Sequence, residues 1–226
     1  MERLQAAADQ TEPDSLLPNW SLIYRPSAKG TGRQPALFLD RDGVIIEDVN
    51  YISNPDDVRL IPGVGETIRH FRSAGFTVVV VTNQSGIARG YFDRAAYLRV
   101  ECRIRQLLAS DEPDAVYACP FHKDGLPPYN VDHPWRKPND GMLRASSAAL
   151  GIDLEKSQMV GDSLSDIQAG VAAGIARAVH VLTGHGRAHR PRVEQLSEFL
   201  DASGPSATQI SCVNSIADVL PALQTS

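Results

Sequence analysis

The apolar positions of this chain fall in short runs separated by longer amphipathic stretches. Residues 36–39 (ALFL) are apolar throughout and stop at Asp40. A short apolar run bounded by charge and glycine reads as a buried strand ending at a polar edge. Residues 76–81 (FTVVVV) form a second run, apolar on both faces, as in a parallel sheet covered on both sides. Shorter runs at 115–118, 158–160, 178–182 and 209–213 complete the strands. Helical patterns lie between them. Pro62 and Gly63 open a helix with Val64, Ile68 and Phe71 on one face, and Gly75 closes it as a left-handed cap. Asp93 is an N-cap, after which Tyr97, Val100, Ile104 and Leu107 trace one face. Arg99, Arg103 and Arg105 read as the solvated side of that helix. Residues 142–150 form a helix closed by Gly151, and 165–174 a short one rich in Ala and Gly. Residues 184–192 read as a loop bearing Gly, His and Arg, and 215–220 as a last helix stopped by Pro221. This alternation predicts an α/β fold, a doubly wound, Rossmann-like parallel sheet.

The 226 residues suffice for one α/β domain with extensions, and 42% hydrophobic residues supply a core. Residues 1–34 read as a partly irregular extension, with Pro13, Pro18, Pro26, Gly30 and Gly32. This extension reads first as a tail with no specific function; the other reading is that the apolar cluster of Trp20, Leu22, Ile23 and Tyr24 tacks it onto the domain or onto a second subunit. Residues 35–226 read as a single domain. Its net charge of −5 argues against a nucleic-acid or anionic-membrane surface. Cys102, Cys119 and Cys212 are far apart and odd in number, so no disulfide framework is expected and a reducing cytoplasm is. No apolar run approaches ~20 residues and no signal-peptide core is visible, which points to a soluble, cytoplasmic monomer or small homo-oligomer.

The candidate chemistry starts at Asp40. Side chains alternate along an extended chain, so Asp40 and Asp42 can face the same way at the strand end, and Gly43 lets the backbone turn. In an open parallel sheet the carboxyl ends of the strands form the ligand crevice. Two carboxylates there repel each other unless a cation or a proton resolves the conflict.

Four spaced motifs extend the picture: DRDGV from Asp40, VVVVTNQSG at 78–86, RKP from Arg136 and VGDSLSD from Val160. In this order they resemble the haloacid dehalogenase-like hydrolase superfamily. TNQSGIARG at 82–90, RKPNDGM at 136–142 and the residues Asp48, Asn50 and Tyr51 narrow the likeness. It narrows to the family of D-glycero-D-manno-heptose 1,7-bisphosphate 7-phosphatases and histidinol-phosphate phosphatases. The resemblance covers residues 34–187. It implies Asp40 as nucleophile, forming an aspartyl-phosphate, and Asp42 as the acid and then base. It implies Mg²⁺ held by the Asp40 carboxylate, the Asp42 carbonyl and Asp162. Asp166 would hold a metal-bound water or orient Lys137, or simply favour a helix N-terminus. Thr82 and Asn83 would face the phosphoryl group, with Lys137 balancing the carboxylates. Arg136 and the loop with Asp48, Asn50 and Tyr51 would read the substrate.

One region departs from the family. Its zinc loop reads Cys-x-His … Cys-x-Cys-Arg-Lys, and the matching residues 119–138 form a long Pro-rich loop. Phe121 stands where the first His belongs, and His133 and Trp135 replace both later Cys. Cys119, His122 and His133, with Asp132, could supply ligands in another arrangement. Phe121 and Trp135 point instead to a loop pinned by apolar packing, so zinc is not expected. Between Asp42 and Thr82 lie one loop and one helix, and between Thr82 and Lys137 one helix, one strand and this loop, so a cap domain is minimal or absent. The expected activity is Mg²⁺-dependent hydrolysis of a small phosphorylated metabolite, foremost a heptose 1,7-bisphosphate at position 7. Histidinol phosphate or another small sugar phosphate is the alternative substrate. A phosphomutase and a catalytically silent phosphate-binding scaffold are the rival classes.

Overall fold

The structure, a computed structural model, describes residues 20–25, 32–204 and 207–219. Seven strands form one sheet in the order β1-β4-β3-β2-β5-β6-β7. They are β1 Ser21–Ile23, β2 Ala36–Leu39, β3 Thr77–Asn83, β4 Ala115–Cys119, β5 Gln158–Gly161, β6 Arg177–His180 and β7 Gln209–Cys212. Only β1 runs antiparallel, pairing Leu22 with Val116 on β4. The remaining six are parallel. From β2 the chain steps to β3 and β4 on one side, then crosses to β5, β6 and β7 on the other. The strand order therefore reverses at β2, and the carboxyl end of β2 opens onto the crevice where such sheets bind ligands.

The continuous apolar runs follow from burial on both faces. All four residues of β2 are buried, as are Val78 to Thr82 of β3. Ala36, Phe38, Val79 and Val81 join one core, and Leu37, Leu39, Val78 and Val80 the other. The first core is closed by helices α4 Gly141–Leu150, α5 Leu164–Ala173 and α6 Gly186–Ala202. The second is closed by α1 Val64–Ser73 and α3 Arg94–Leu108. A four-residue turn of helix, α2 Ser85–Ala88, follows β3. Trp20 is buried against Tyr97 and Tyr129, so the apolar cluster around it lies on this domain. Residues 1–19 and 26–31 of the expected extension lie outside the described residues. No separate cap domain interrupts the described residues between β2 and α4, and none of their helices is long and apolar enough to cross a membrane.

Three expectations need correction. Residues 186–202, expected to begin in a loop, form the 17-residue helix α6. Its first half is polar and carries Pro191, and only Gly186 and Val193 are buried, so the apolar periodicity that marks a helix is thin. On α3 the buried stripe ends at Leu108, while Leu107 is exposed. At 100° per residue Leu108 falls about 20° from Tyr97 around the axis and Leu107 about 80°, which decides between two adjacent leucines. The expected last helix is a 3-10 turn, Ile216–Asp218, capped by Ser215, and Leu220 and Pro221 lie outside the described residues.

Candidate active site

Strand ends place the site. Asp40 follows β2, Thr82 and Asn83 end β3, and Asp162 follows β5. Lys137 arrives from the loop between β4 and α4. They line a cleft of about 390 Å³ together with Asp42, Asp48, Asn50, Tyr51 and Asp166.

Lys137 is the buried cation at its centre. Its Nζ lies 2.9 Å from Asp40 Oδ1 and 2.6 Å from Asp166 Oδ1, and donates to the Val81 carbonyl at 2.8 Å. Burial alone would lower its pKa, but Asp166 and Asp40 hold it above the ordinary ammonium range. Asp166 is the third residue of α5 and closes a capping box, its Oδ2 accepting from the Ser163 amide at 2.9 Å and hydroxyl at 2.8 Å. Both Asp166 oxygens are thus engaged, one by the helix start and one by Lys137. Of the roles open to Asp166 in the sequence, the geometry supports the cap and the orientation of Lys137.

Asp40 Oδ1 also accepts the Arg41 amide at 2.8 Å. Burial drives the Asp40 carboxyl well above its ordinary range; Lys137 opposes this, and Asp166, Asp162 and Asp42 add to it. Asp162 Oδ2 accepts the His185 amide at 2.7 Å, and burial, then Asp166, push its carboxyl up to about 7. Gly43 (φ +81°) and Gly184 (φ +54°) lie against it, and a Cβ at either would overlap Asp162 Oδ2.

Asp42 is held by other partners. Arg41 Nε donates to its Oδ2 at 3.1 Å, Arg41 NH2 to its Oδ1 at 3.0 Å, and Gln84 Nε2 to its Oδ2 at 3.0 Å. Gln84 Nε2 also donates to the Thr82 hydroxyl at 2.8 Å, which leaves the hydroxyl proton free to point at a ligand.

Asn83 lies on the cleft wall with its amide spent on Lys137: Oδ1 accepts the Lys137 N–H at 3.1 Å and Nδ2 donates to its carbonyl at 3.0 Å. Asp48 Oδ1 accepts the Asn50 amide at 3.0 Å, and Oδ2 meets His185 Nε2 at 2.9 Å. Tyr51 packs edge-on against Tyr91, their rings 4.8 Å apart. Arg136 is outside the residues lining the cleft; its NH1 donates to the Phe121 carbonyl at 3.3 Å.

The altered loop is packed. Phe121 is fully buried and stacks on His133 with ring centres 4.4 Å apart. His133 Nδ1 accepts the Trp135 N–H at 3.0 Å, and Trp135 packs on Tyr117. His122 Nδ1 accepts the Asp124 N–H at 3.2 Å while its Nε2 lies 3.2 Å from Arg89. Burial pushes the Cys119 thiol up to about 12, and Asp132 is exposed. Among the described residues, one group of His, Cys, Asp and Glu brings at least three ligand atoms close enough to share an ion: Asp40, Asp162 and Asp166, within 4.8 Å of one another.

That group suits a hard divalent cation. Three carboxylates face one ammonium, all donors are oxygen, and the Asp42 carbonyl takes no hydrogen bond among the described residues. Mg²⁺ prefers such donors.

A family model described as haloacid dehalogenase-like hydrolase matches residues 37–124, and a second model of the same kind matches residues 134–201. An Escherichia coli K12 protein named D-glycero-beta-D-manno-heptose-1,7-bisphosphate 7-phosphatase is 37% identical over 193 residues, covering 84% of this chain and 94% of that protein. The chain belongs to the haloacid dehalogenase-like hydrolases. A Mesorhizobium japonicum protein of the same name is 49% identical over 146 residues, 63% of this chain and 67% of its own length. The crystal structure of D,D-heptose 1,7-bisphosphate phosphatase from B. bronchiseptica, complexed with magnesium and phosphate, superposes with a TM-score of 0.65 at 34% identity. It covers 81% of this chain and 94% of that one.

Four residues in or behind this cleft are not marked by the motifs as having a role. Arg41 and Gln84 lie inside the quoted motifs. Glu101, a charged residue within the apolar stripe of α3, left a signal of its own, whereas His185 lies in the segment read as a loop.

Proposed function

We propose that the protein is a Mg²⁺-dependent phosphomonoester hydrolase that removes the 7-phosphate of D-glycero-β-D-manno-heptose 1,7-bisphosphate. The observation carrying the chemistry is the group of Asp40, Asp162 and Asp166 around buried Lys137 at the sheet's reversal point. The substrate rests on the relatives named above, two of which align with this chain over more than nine-tenths of their own length.

Asp40 is the nucleophile. Its Oδ1 is held by Lys137 and the Arg41 amide, and Oδ2, with no protein hydrogen bond among the described residues, is the oxygen available to phosphorus. As the Asp40–phosphorus bond forms, the bond to the sugar oxygen breaks, and the Asp42 carboxyl gives that oxygen its proton. The sugar leaves as an alcohol. Asp42, now a carboxylate, takes a proton from water; the water oxygen bonds phosphorus and the Asp40–phosphorus bond breaks. Lys137 and Thr82 offer donors to the phosphoryl oxygens. Asp40, Asp162 and the Asp42 carbonyl would hold Mg²⁺, which when bound supplies positive charge to the nucleophile and the phosphoryl group. Asp166 keeps Lys137 in place. The loop with Asp48, Asn50 and Tyr51 and, further out, Arg136 contact the sugar. Residues 35–226 act as one catalytic domain.

Initial rates with Mg²⁺ across both anomers of the heptose bisphosphate, histidinol phosphate and common hexose phosphates test this. The β anomer of the heptose bisphosphate is turned over fastest, and Asp40→Asn abolishes turnover. Equal, low, Asp40-dependent rates on all would remove the substrate assignment, and equal inertness of wild type and variant the activity itself.

A further inference from the structure

Glu101 sits midway along α3, in the stripe that faces the sheet, and is 3% exposed. A carboxylate there costs solvation energy unless it is paired. Its partner is Arg41, itself 2% exposed, with NH1 2.9 Å from Glu101 Oε1. The rest of the guanidinium is directed at the cleft. Its Nε and NH2 form the two-pronged contact with Asp42, and NH2 also donates to Gln84 Oε1 at 3.1 Å. The Tyr97 ring lies 5.6 Å from Cζ and closes the remaining side. Arg41 is thus a rigid connector with a fixed anchor at one edge and the proposed acid at the other. A planar fork transmits orientation in a way a flexible ammonium does not.

We propose that Glu101 is a positioning residue for leaving-group protonation: through Arg41 it fixes where the Asp42 carboxyl stands relative to Asp40 and Thr82. The inference rests on the phosphatase reading above. A buried ion pair serving only the core would affect all substrates alike. A positioning role affects the step that needs an acid. When Asp40 displaces a sugar alkoxide, the departing oxygen must receive the proton of Asp42. When it displaces 4-nitrophenolate, a stable anion, the bond breaks without that proton.

The test compares kcat/KM of wild type and Glu101→Gln on a primary-alcohol sugar phosphate and on 4-nitrophenyl phosphate. This ratio reports the steps up to departure of the leaving group, before the shared hydrolysis of the aspartyl-phosphate. Glu101→Gln is expected to lose about tenfold or more on the sugar phosphate, a fraction of the 10²–10⁴ that a general acid supplies, and no more than about twofold on the aryl ester. Arg41→Lys, which keeps the charge and loses the fork, should show the same selectivity and carries the test if Glu101→Gln fails to fold. Equal losses on both substrates, or none on either, in a folded variant overturn the proposal. A wild type inert to both substrates refutes the phosphatase reading instead.

Discussion

Replacing Lys137 by Met tests the charge balance of the cleft directly. The side chain is 1% exposed and its ammonium serves Asp40, Asp166 and the Val81 carbonyl. Methionine keeps most of the volume and removes the charge, leaving Asp40 and Asp166, with Asp162 close by, without the ammonium they share. Removing one partner of a buried pair costs about 3–5 kcal/mol. At about 2–4 °C per kcal/mol for a domain of this size, that lowers Tm by roughly 6–20 °C. The loss should depend on pH. Asp40 already sits well above its ordinary range through burial, with Lys137 the influence opposing that rise. Without Lys137 its folded-state pKa climbs further. A group whose pKa is raised on folding contributes stability at low pH that disappears as pH rises through the folded value. The deficit of Lys137→Met should therefore be smaller near pH 5 than near pH 8. Urea and thermal unfolding in EDTA at both values measure it, and Asp166→Asn in the same background should cost less than it does alone. A loss below about 1 kcal/mol at pH 8, or one equal at both pH values, would refute the reasoning.

Other outcomes follow from neighbouring residues. Because the Asp162 carboxyl is pushed up to about 7, Mg²⁺ must displace its proton below that pH. Calorimetry should show affinity falling by at least about tenfold per pH unit below about 7, the raised Asp40 carboxyl adding to the protons displaced. Gly184→Ala places a Cβ onto Asp162 Oδ2 at φ +54°, with Gly43 Cα 2.7 Å away, and should raise the Mg²⁺ needed for half-activation at least about tenfold while far-ultraviolet circular dichroism is retained. Phe121→Ala removes a fully buried ring from beneath His133 and should cost about 3–5 kcal/mol in urea denaturation.

The central strands were legible because burial on both faces leaves no room for polar residues: β2 spans the expected Ala36–Leu39. Helix α6 was not, since only Gly186 and Val193 are buried along its 17 residues and Pro191 interrupts the pattern. The same contrast runs through the site. Asp40, Thr82 and Asp162 stand at strand ends, where a change from apolar to polar marks them in the sequence. Glu101 meets Arg41 across 60 positions, and spacing along the chain does not encode which charge in a core will meet which. What the sequence does show is Glu101 between Tyr97 and Ile104, inside a stripe that should be apolar, a misfit that signals a buried partner.

Asp40 and Asp42, two residues apart, repel unless something intervenes. The fold gives each its own cation: Lys137 at 2.9 Å from Asp40, and the Arg41 fork on Asp42. Each cation is in turn shared with a second buried carboxylate, Asp166 for Lys137 and Glu101 for Arg41. The two clusters have the same form, carboxylate–cation–carboxylate, and differ in what lies beside them. Asp162 adds a third carboxylate to the Asp40 cluster, and that surplus of negative charge favours a divalent metal there. Asp42 instead lies under a guanidinium and the Gln84 amide, with 26% of its side chain exposed to the cleft. Two carboxyl groups of one chemistry can take opposite parts in a reaction when their surroundings differ in this way. In the proposed reaction, separate cations, more than the spacing of the two residues, are what let Asp40 bond to phosphorus while Asp42 handles protons.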